Sequence, residues 1–169
     1  MRAMKTIPRS LALLTTLLIW SSANARIGEN QSQIEARYGK PVKTFAAAEP
    51  PRPALKKMYK SDGIVIIVSF LNGVSESEYY SKPNAKIDRT EVETLLQANA
   101  QGKEWKQIPR GHSMYSSKGQ RWMLGEISMS STLADYNEVR GRLHILTKTY
   151  LDTTTAAEKA AATAKLKKF

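Results

Sequence analysis

The sequence predicts an α+β fold built on an antiparallel sheet, and three observations predict it. Two tight-turn dipeptides, Asp62-Gly63 and Asn72-Gly73, bracket the β-branched run Ile64 to Leu71. Asn-Gly and Asp-Gly tolerate positive φ at both central residues, as a type I′ hairpin turn requires. Two short segments carry helix-start signals and apolar residues at helical spacing. The order is therefore helix, three strands, helix, three or four strands. This is a pattern of two helix-plus-meander units, with half-units at 27–82 and 88–151. Helices with one apolar face and meanders with one or two bury both by packing together.

The first helix is expected to start with Ser32 and Glu35 at capping-box spacing, with Asn30 as the rival N-cap. Ile34 and Tyr38 share its buried face. Gly39 is expected to supply a left-handed C-cap, and Pro41 blocks continuation. Ala46 to Pro53, with three prolines, reads as an exposed linker.

Leu55 to Ser61, Ile64 to Leu71 and Val74 to Lys82 then form a meander. In its middle strand Ile64, Ile66, Val68 and Phe70 point one way. Val65, Ile67, Ser69 and Leu71 point the other, so the strand is expected to be covered on both faces. Asp88 and Glu91 repeat the capping-box spacing, with Thr90 as an alternative. Val92, Leu95, Leu96 and Asn99 lie on one face of this second helix, and Gly102 is its stop. Trp105 to Ile108, Gln120 to Leu124, Thr132 to Asn137 and Arg142 to Leu151 read as strands, with Lys118-Gly119 and Arg140-Gly141 as turns. Thr153, Thr154 and Thr155 offer caps for a C-terminal helical tail. Its late lysines complement the helix dipole, and 153–169 reads as a basic Ala/Lys-rich tail, frayed and exposed.

The N-terminus sets the expected compartment. Arg2, Lys5 and Arg9 precede an apolar stretch from Leu11 to Trp20, and Ala23-Asn24-Ala25 follows. This reads as a secretory signal peptide, residues 1–25, cleaved after Ala25. The stretch is about half the ~20 apolar residues that a spanning helix needs, and no later segment is longer. The mature domain is expected at 26–152, followed by the tail. Three of the 26 Lys and Arg residues leave with the signal, so 23 remain against 15 acids and the net charge is near +8. Such a chain favours anionic partners. It has no cysteine, so stability comes from the core. Arg26 stands where a lipoprotein needs its lipidated cysteine. The expected location is periplasmic or extracellular, without a lipid anchor.

The segment ending Tyr38-Gly39-Lys40-Pro41 and followed by a hairpin-rich meander resembles the small exported α+β modules of the SmpA/OmlA outer-membrane assembly factors. It is also similar to the tandem modules of β-lactamase inhibitory proteins. The resemblance rests on Tyr38 to Pro41, the two turn dipeptides and the element order, and covers about half the chain. It implies a non-enzymatic, partner-binding module and transfers no functional residue. The assembly factors are lipoproteins, and Arg26 departs from that pattern.

Residues that could carry chemistry are few. The histidines are His112 and His144. Gly111-His112-Ser113-Met114-Tyr115 lacks the spacing of a G-x-S-x-G nucleophile elbow, and Ser113 reads as a loop serine. His144 alternates with Leu143 and Ile145 and faces away from them as a structural histidine. Two histidines 32 positions apart without cysteine do not make a zinc shell, and no calcium loop or Gly-rich phosphate loop is present. No catalytic residue, metal or cofactor is therefore assigned. Glu76 and Glu78 read as one solvated strand face.

Lys103, Trp105, Lys106, Arg110, Lys118 and Arg121 form the candidate anionic-ligand surface. No nucleic-acid motif accompanies them, which argues against that partner. The expected function is an exported non-enzymatic binding or structural module of unknown partner, the candidates being an unidentified protein or an anionic polymer. The rivals are an exported hydrolase and a binder of anionic polymer or lipid surfaces. An exposed apolar or aromatic sheet face without convergent ionisable groups favours the module. An aromatic pocket enclosing a carboxylate or His112 favours the hydrolase. A contiguous basic face favours the polymer or lipid binder.

Overall fold

A computed structural model describes residues 27–45, 54–109, 119–126 and 131–166. The predicted signal peptide, the Ala46–Pro53 linker, His112, Ser113, Tyr115, Arg110 and Lys118 lie outside the described residues. The fold is α+β. Its elements are α1 (Gln31–Tyr38), β1 (Lys43–Phe45), β2 (Leu55–Ser61), β3 (Ile64–Leu71), β4 (Val74–Ser81), α2 (Arg89–Ala98), β5 (Trp105–Ile108), β6 (Gly119–Leu124), β7 (Thr132–Asn137), β8 (Arg142–Thr147) and α3 (Lys148–Leu166).

All eight strands form one antiparallel sheet in the order β1-β2-β3-β4-β8-β7-β6-β5. Two four-stranded meanders thus meet at the β4–β8 seam, where Tyr79 pairs with His144 and Tyr80 with Leu143. Tyr59, Ile66, Val68, Phe70, Leu143 and Ile145 line one face and pack against Ile34 of α1 and Val92 and Leu96 of α2. On the other face a smaller cluster of Ala54, Leu146 and Tyr150 anchors α3. The two outermost strands are short, three residues in β1 and four in β5, which limits the unpaired edge available for pairing with another chain.

Local chemistry explains the boundaries, and several expectations are corrected by it. The N-cap of α1 is Asn30, not Ser32. Asn30 Oδ1 accepts from Gln33 N at 3.0 Å while Gln33 Oε1 accepts from Asn30 N at 2.9 Å. The glutamine two positions before Glu35 completes the box earlier. Gly39 has positive φ but an extended ψ, φ 78 and ψ −168, rather than the left-handed helical cap. It turns the chain directly toward β1 in a region that glycine alone populates freely. Asp88 caps α2 with Glu91 as expected.

The hairpin turns hold as predicted: Asp62 and Gly63 have φ 49 and 76, and Asn72 and Gly73 have φ 53 and 83. Gly119 is not a turn residue; it lies in β6 opposite Asn137. A side chain there would meet the Tyr136 carbonyl oxygen at 2.8 Å. The last predicted strand ends at Thr147, and Lys148 to Leu151 open α3 instead. Thr147 Oγ1 accepts from Tyr150 N at 3.0 Å, which caps that helix. Thr153 to Thr155 consequently lie inside the helix. Thr154 Oγ1 bonds the Tyr150 carbonyl at 2.9 Å, and buried Tyr150 docks the first turn on the sheet.

A register shift between Ser69 and Phe70 leaves Glu76 unopposed on β3. Glu76 accepts from the Thr147 hydroxyl, while Glu78 is fully buried. The expected solvated face of Glu76 and Glu78 is therefore absent. A bulge and a tyrosine cluster decided what charge alone suggested otherwise.

Candidate functional site

The described members of the predicted anionic-ligand surface do not assemble into one. Trp105 and Lys106 are successive strand residues and project to opposite faces. The Trp105 indole packs against the core and donates to the Leu96 carbonyl at 2.6 Å. Lys106 Nζ lies 2.6 Å from Glu126 Oε1. The Glu126 carboxylate, by hydrogen bond and charge, holds the ammonium above its ordinary pKa. Arg121 Nη2 lies 2.7 Å from Asp135 Oδ2. Lys103 is exposed in the turn before β5.

The outer face, opposite α1 and α2, gathers a different set. Arg121, Asp135, His144 and Tyr79 follow one another in Cα register across β6, β7, β8 and β4. One step along the strands, Asn137 pairs with Arg142. Arg140 stands in the turn that joins them. Tyr79, Asp135, Asn137, Arg140, Arg142 and His144 line an open cleft of about 190 Å³.

The charges in this cleft are unequal. Asp135 is engaged by Arg121 through Nη2 and, at 3.3 Å, through Nε. Arg142 Nη1 donates to the Tyr79 hydroxyl at 3.1 Å. Neither Arg140 nor Arg142 forms an ion pair with an acid among the described residues. Among the described residues two guanidinium groups therefore remain uncompensated where one carboxylate is already satisfied.

His144 forms the inner wall. Its ring stands edge-on to Tyr79, with centroids 5.7 Å apart, and to Tyr150 at 6.5 Å. Burial, and then the charge of Lys56, pull its pKa down to about 4, so the ring is neutral at neutral pH. Its Nε2 lies 2.7 Å from Ser77 Oγ. A serine beside an imidazole is the start of a nucleophile–base pair. Here Ser77 is only 2 % exposed, and the nearest acid in register, Asp135, is bound to Arg121. The serine is closed off between strands while the ring faces the cleft, and the pair acts as a polar fastener of the seam.

Strand alternation identified the outward direction of His144, and Arg140-Gly141 read as a turn. The sequence carried no signal that Tyr79 would stand beside Arg142, 63 positions away.

The opposite face holds a second polar cluster. Glu78 Oε2 accepts from the Tyr80 hydroxyl and from Tyr38 at 3.4 Å. Asn99 Nδ2 donates to the Tyr80 oxygen at 3.3 Å. Burial pushes the Glu78 carboxyl up to about 7, against the opposing hydrogen bond from Tyr80. Glu29 and Arg37 form an ion pair at the cluster's margin. Glu78, Tyr80 and Asn99 are each at most 1 % exposed, so these groups shape the core and present nothing to a ligand. A second cleft, about 240 Å³ beside the Asp62-Gly63 turn, is lined by Lys60 to Val65 and Pro83 and gathers no cluster of like charge.

Among the described residues no group of three or more His, Asp or Glu side chains could hold a metal ion. No helix among them is long and apolar enough to cross a membrane.

No known protein family and no curated protein matches the chain. Two solved structures are similar to it at 11 % identity and a TM-score of 0.42. One is a cysteine-rich secretory protein from Staphylococcus aureus subsp. aureus Mu50, matched over 74 % of this chain. The other is an extracellular protein containing an SCP domain from Bacillus anthracis str. Ames, matched over 79 %. The chain covers 46 % of each of those proteins.

Proposed function

We propose that this chain is an exported, non-catalytic binding module that takes a negatively charged polymer on the outer face of its sheet. The observation that carries this reading is the cleft in which Arg140 and Arg142 have no acidic partner among the described residues and stand beside the Tyr79 ring; such convergent ionisable groups favour an anionic polymer over an apolar docking partner. Uncompensated guanidinium groups on an open surface attract anions, and an aromatic wall adds apolar contact area. The net charge near +8 that remains once the signal is removed draws the same class of partner over longer range. The signal-like N-terminus and the likeness of Tyr38 to Pro41 to partner-binding modules agree with export and with binding. The cleft does set an aromatic ring, Tyr79, near a carboxylate, Asp135, but that carboxylate is bound by Arg121, and Ser77 beside His144 is closed to a substrate; both disfavour a hydrolase at this cleft.

The test is a titration of ¹⁵N-labelled protein with polygalacturonate, a carboxylated polysaccharide. Backbone signals of Tyr79, Asn137, Arg140, Arg142 and His144 should shift together, and added salt should reverse the shifts. No shift, or shifts scattered over Lys40, Lys60 and Lys103 with none at the cleft, would refute the reading.

A further inference from the structure

We propose that Arg140 and Arg142 form a preorganised two-guanidinium clamp for a single oxyanion, a carboxylate, sulfate or phosphate group, seated in the cleft against Tyr79. This rests on the binding-module reading and specifies the group the cleft takes.

The clamp is built by its turn. Gly141 separates the two arginines and has φ 59. Gly141 N donates to the Asn137 carbonyl at 2.8 Å, and Arg140 N donates to Asn137 Oδ1 at 2.9 Å. From outside, Ile87 N donates to the Gly141 carbonyl at 3.1 Å and Lys86 Nζ to the Glu138 carbonyl at 3.2 Å. A side chain at Gly141 would overlap Lys86 at 2.2 Å, so the turn is seated closely on the segment before α2. The two arginine backbones are thereby fixed before any ligand arrives, which lowers the ordering cost of binding.

One guanidinium is also oriented. Arg142 spends a single N–H on the Tyr79 oxygen, and a guanidinium has five. The remaining donors suit an oxygen pair, the geometry in which arginine binds carboxylate or phosphate bidentately. Arg140, exposed at the rim, supplies the second positive group. The floor does not oppose an anion strongly. His144 is neutral, and the Asp135 charge is balanced by Arg121. A volume of about 190 Å³ admits one compact group and part of the residue that bears it.

The experiment follows the arginine side-chain Nε–Hε signals of the exported protein on titration with sodium phosphate, sulfate or acetate, with chloride holding ionic strength constant. The Arg140 and Arg142 signals should move saturably. R140Q and R142Q should each weaken the tightest of these anions about tenfold or more, the worth of one charge-assisted hydrogen bond or better. K106Q, at a lysine paired with Glu126, should leave it unchanged. Tighter phosphate or sulfate identifies a tetrahedral group, and tighter acetate a planar one; either supports the clamp. A linear, unsaturating drift, or binding by R140Q and R142Q as tight as that of the parent protein, overturns it. If polygalacturonate still maps to the cleft in that case, the clamp fails and the module reading stands. If the polymer maps elsewhere or does not bind, the module reading falls as well.

Discussion

Ser77 Oγ and His144 Nε2 lie 2.7 Å apart across the β4–β8 seam, where the two meanders of the sheet are joined. This bond links residues 67 positions apart and is shielded from solvent at its serine end. Ser77→Ala should lower stability by about 1 kcal/mol, with the His144 nitrogen losing its partner. It should leave anion binding in the cleft unchanged. A urea unfolding midpoint equal to that of the parent protein would show that the bond contributes nothing to the seam.

Glu78 and His144 should give opposite pH dependences. Buried Glu78 favours its neutral acid form, and its pKa rises from 4.5 to about 7. Tyr38, Tyr80, Glu29 and Arg37 set its surroundings. Its contribution to stability is full below pH 4.5 and is lost as pH rises through 7. Buried His144 favours its neutral base form, and its pKa falls from 6.5 to about 4. Its contribution is present above pH 6.5 and is lost as pH falls through 4. From pH 4.5 to 6.5 the two slopes cancel in part. Urea titrations across pH should show stability rising with pH over this window in Glu78→Gln. In His144→Asn it should fall with pH as far as pH 7. Parallel profiles in both variants and the parent would remove these groups as the source.

The cap of α1 separates two readings of the same sequence. Asn30→Ala should cost about 1 kcal/mol, and Ser32→Ala within about 0.5 kcal/mol of zero. The reverse order in thermal unfolding would restore Ser32 as the cap.

Gly141 and Gly63 both have positive φ, but their surroundings differ. Gly63 has open space where a side chain would go, so Gly63→Ala should cost about 1–2 kcal/mol for the left-handed backbone alone. Gly141→Ala adds overlap with Lys86, including its Cα at 2.5 Å, and should cost more. It should also weaken oxyanion binding by displacing Arg140 and Arg142. Equal stabilities of the two variants in chemical denaturation would argue against close seating of the turn.

Much of the fold was legible because short-range chemistry encodes it. The hairpin turns followed from Asp62-Gly63 and Asn72-Gly73, and the start of α2 followed from Asp88 and Glu91 three positions apart. Where two caps competed, in α1, spacing left both open and the geometry chose Asn30. The segment Lys148 to Leu151 misled because Tyr150 and Leu151 suit a strand as well as a helix. Thr147 decided it by capping the amide of Tyr150. The candidate site was less legible. A cluster of cations along Lys103 to Arg121 looks alike whether its members stand free or paired, and Glu126 and Asp135 pair two of them.

By itself the sequence determined the α+β class, the hairpin turns and the absence of disulfides, because these depend on residues within a few positions of one another or on composition. Only the tertiary structure decided that β4 pairs with β8, that a bulge at Glu76 sends Glu78 into the core, and that Tyr79, Arg142 and His144 share a cleft. The pairing and the cleft depend on the register between strands some 60 or more positions apart, and the bulge on a shift within the β3–β4 hairpin between Ser69 and Phe70. That register is set by the joint burial of many side chains, and no single stretch of sequence carries it.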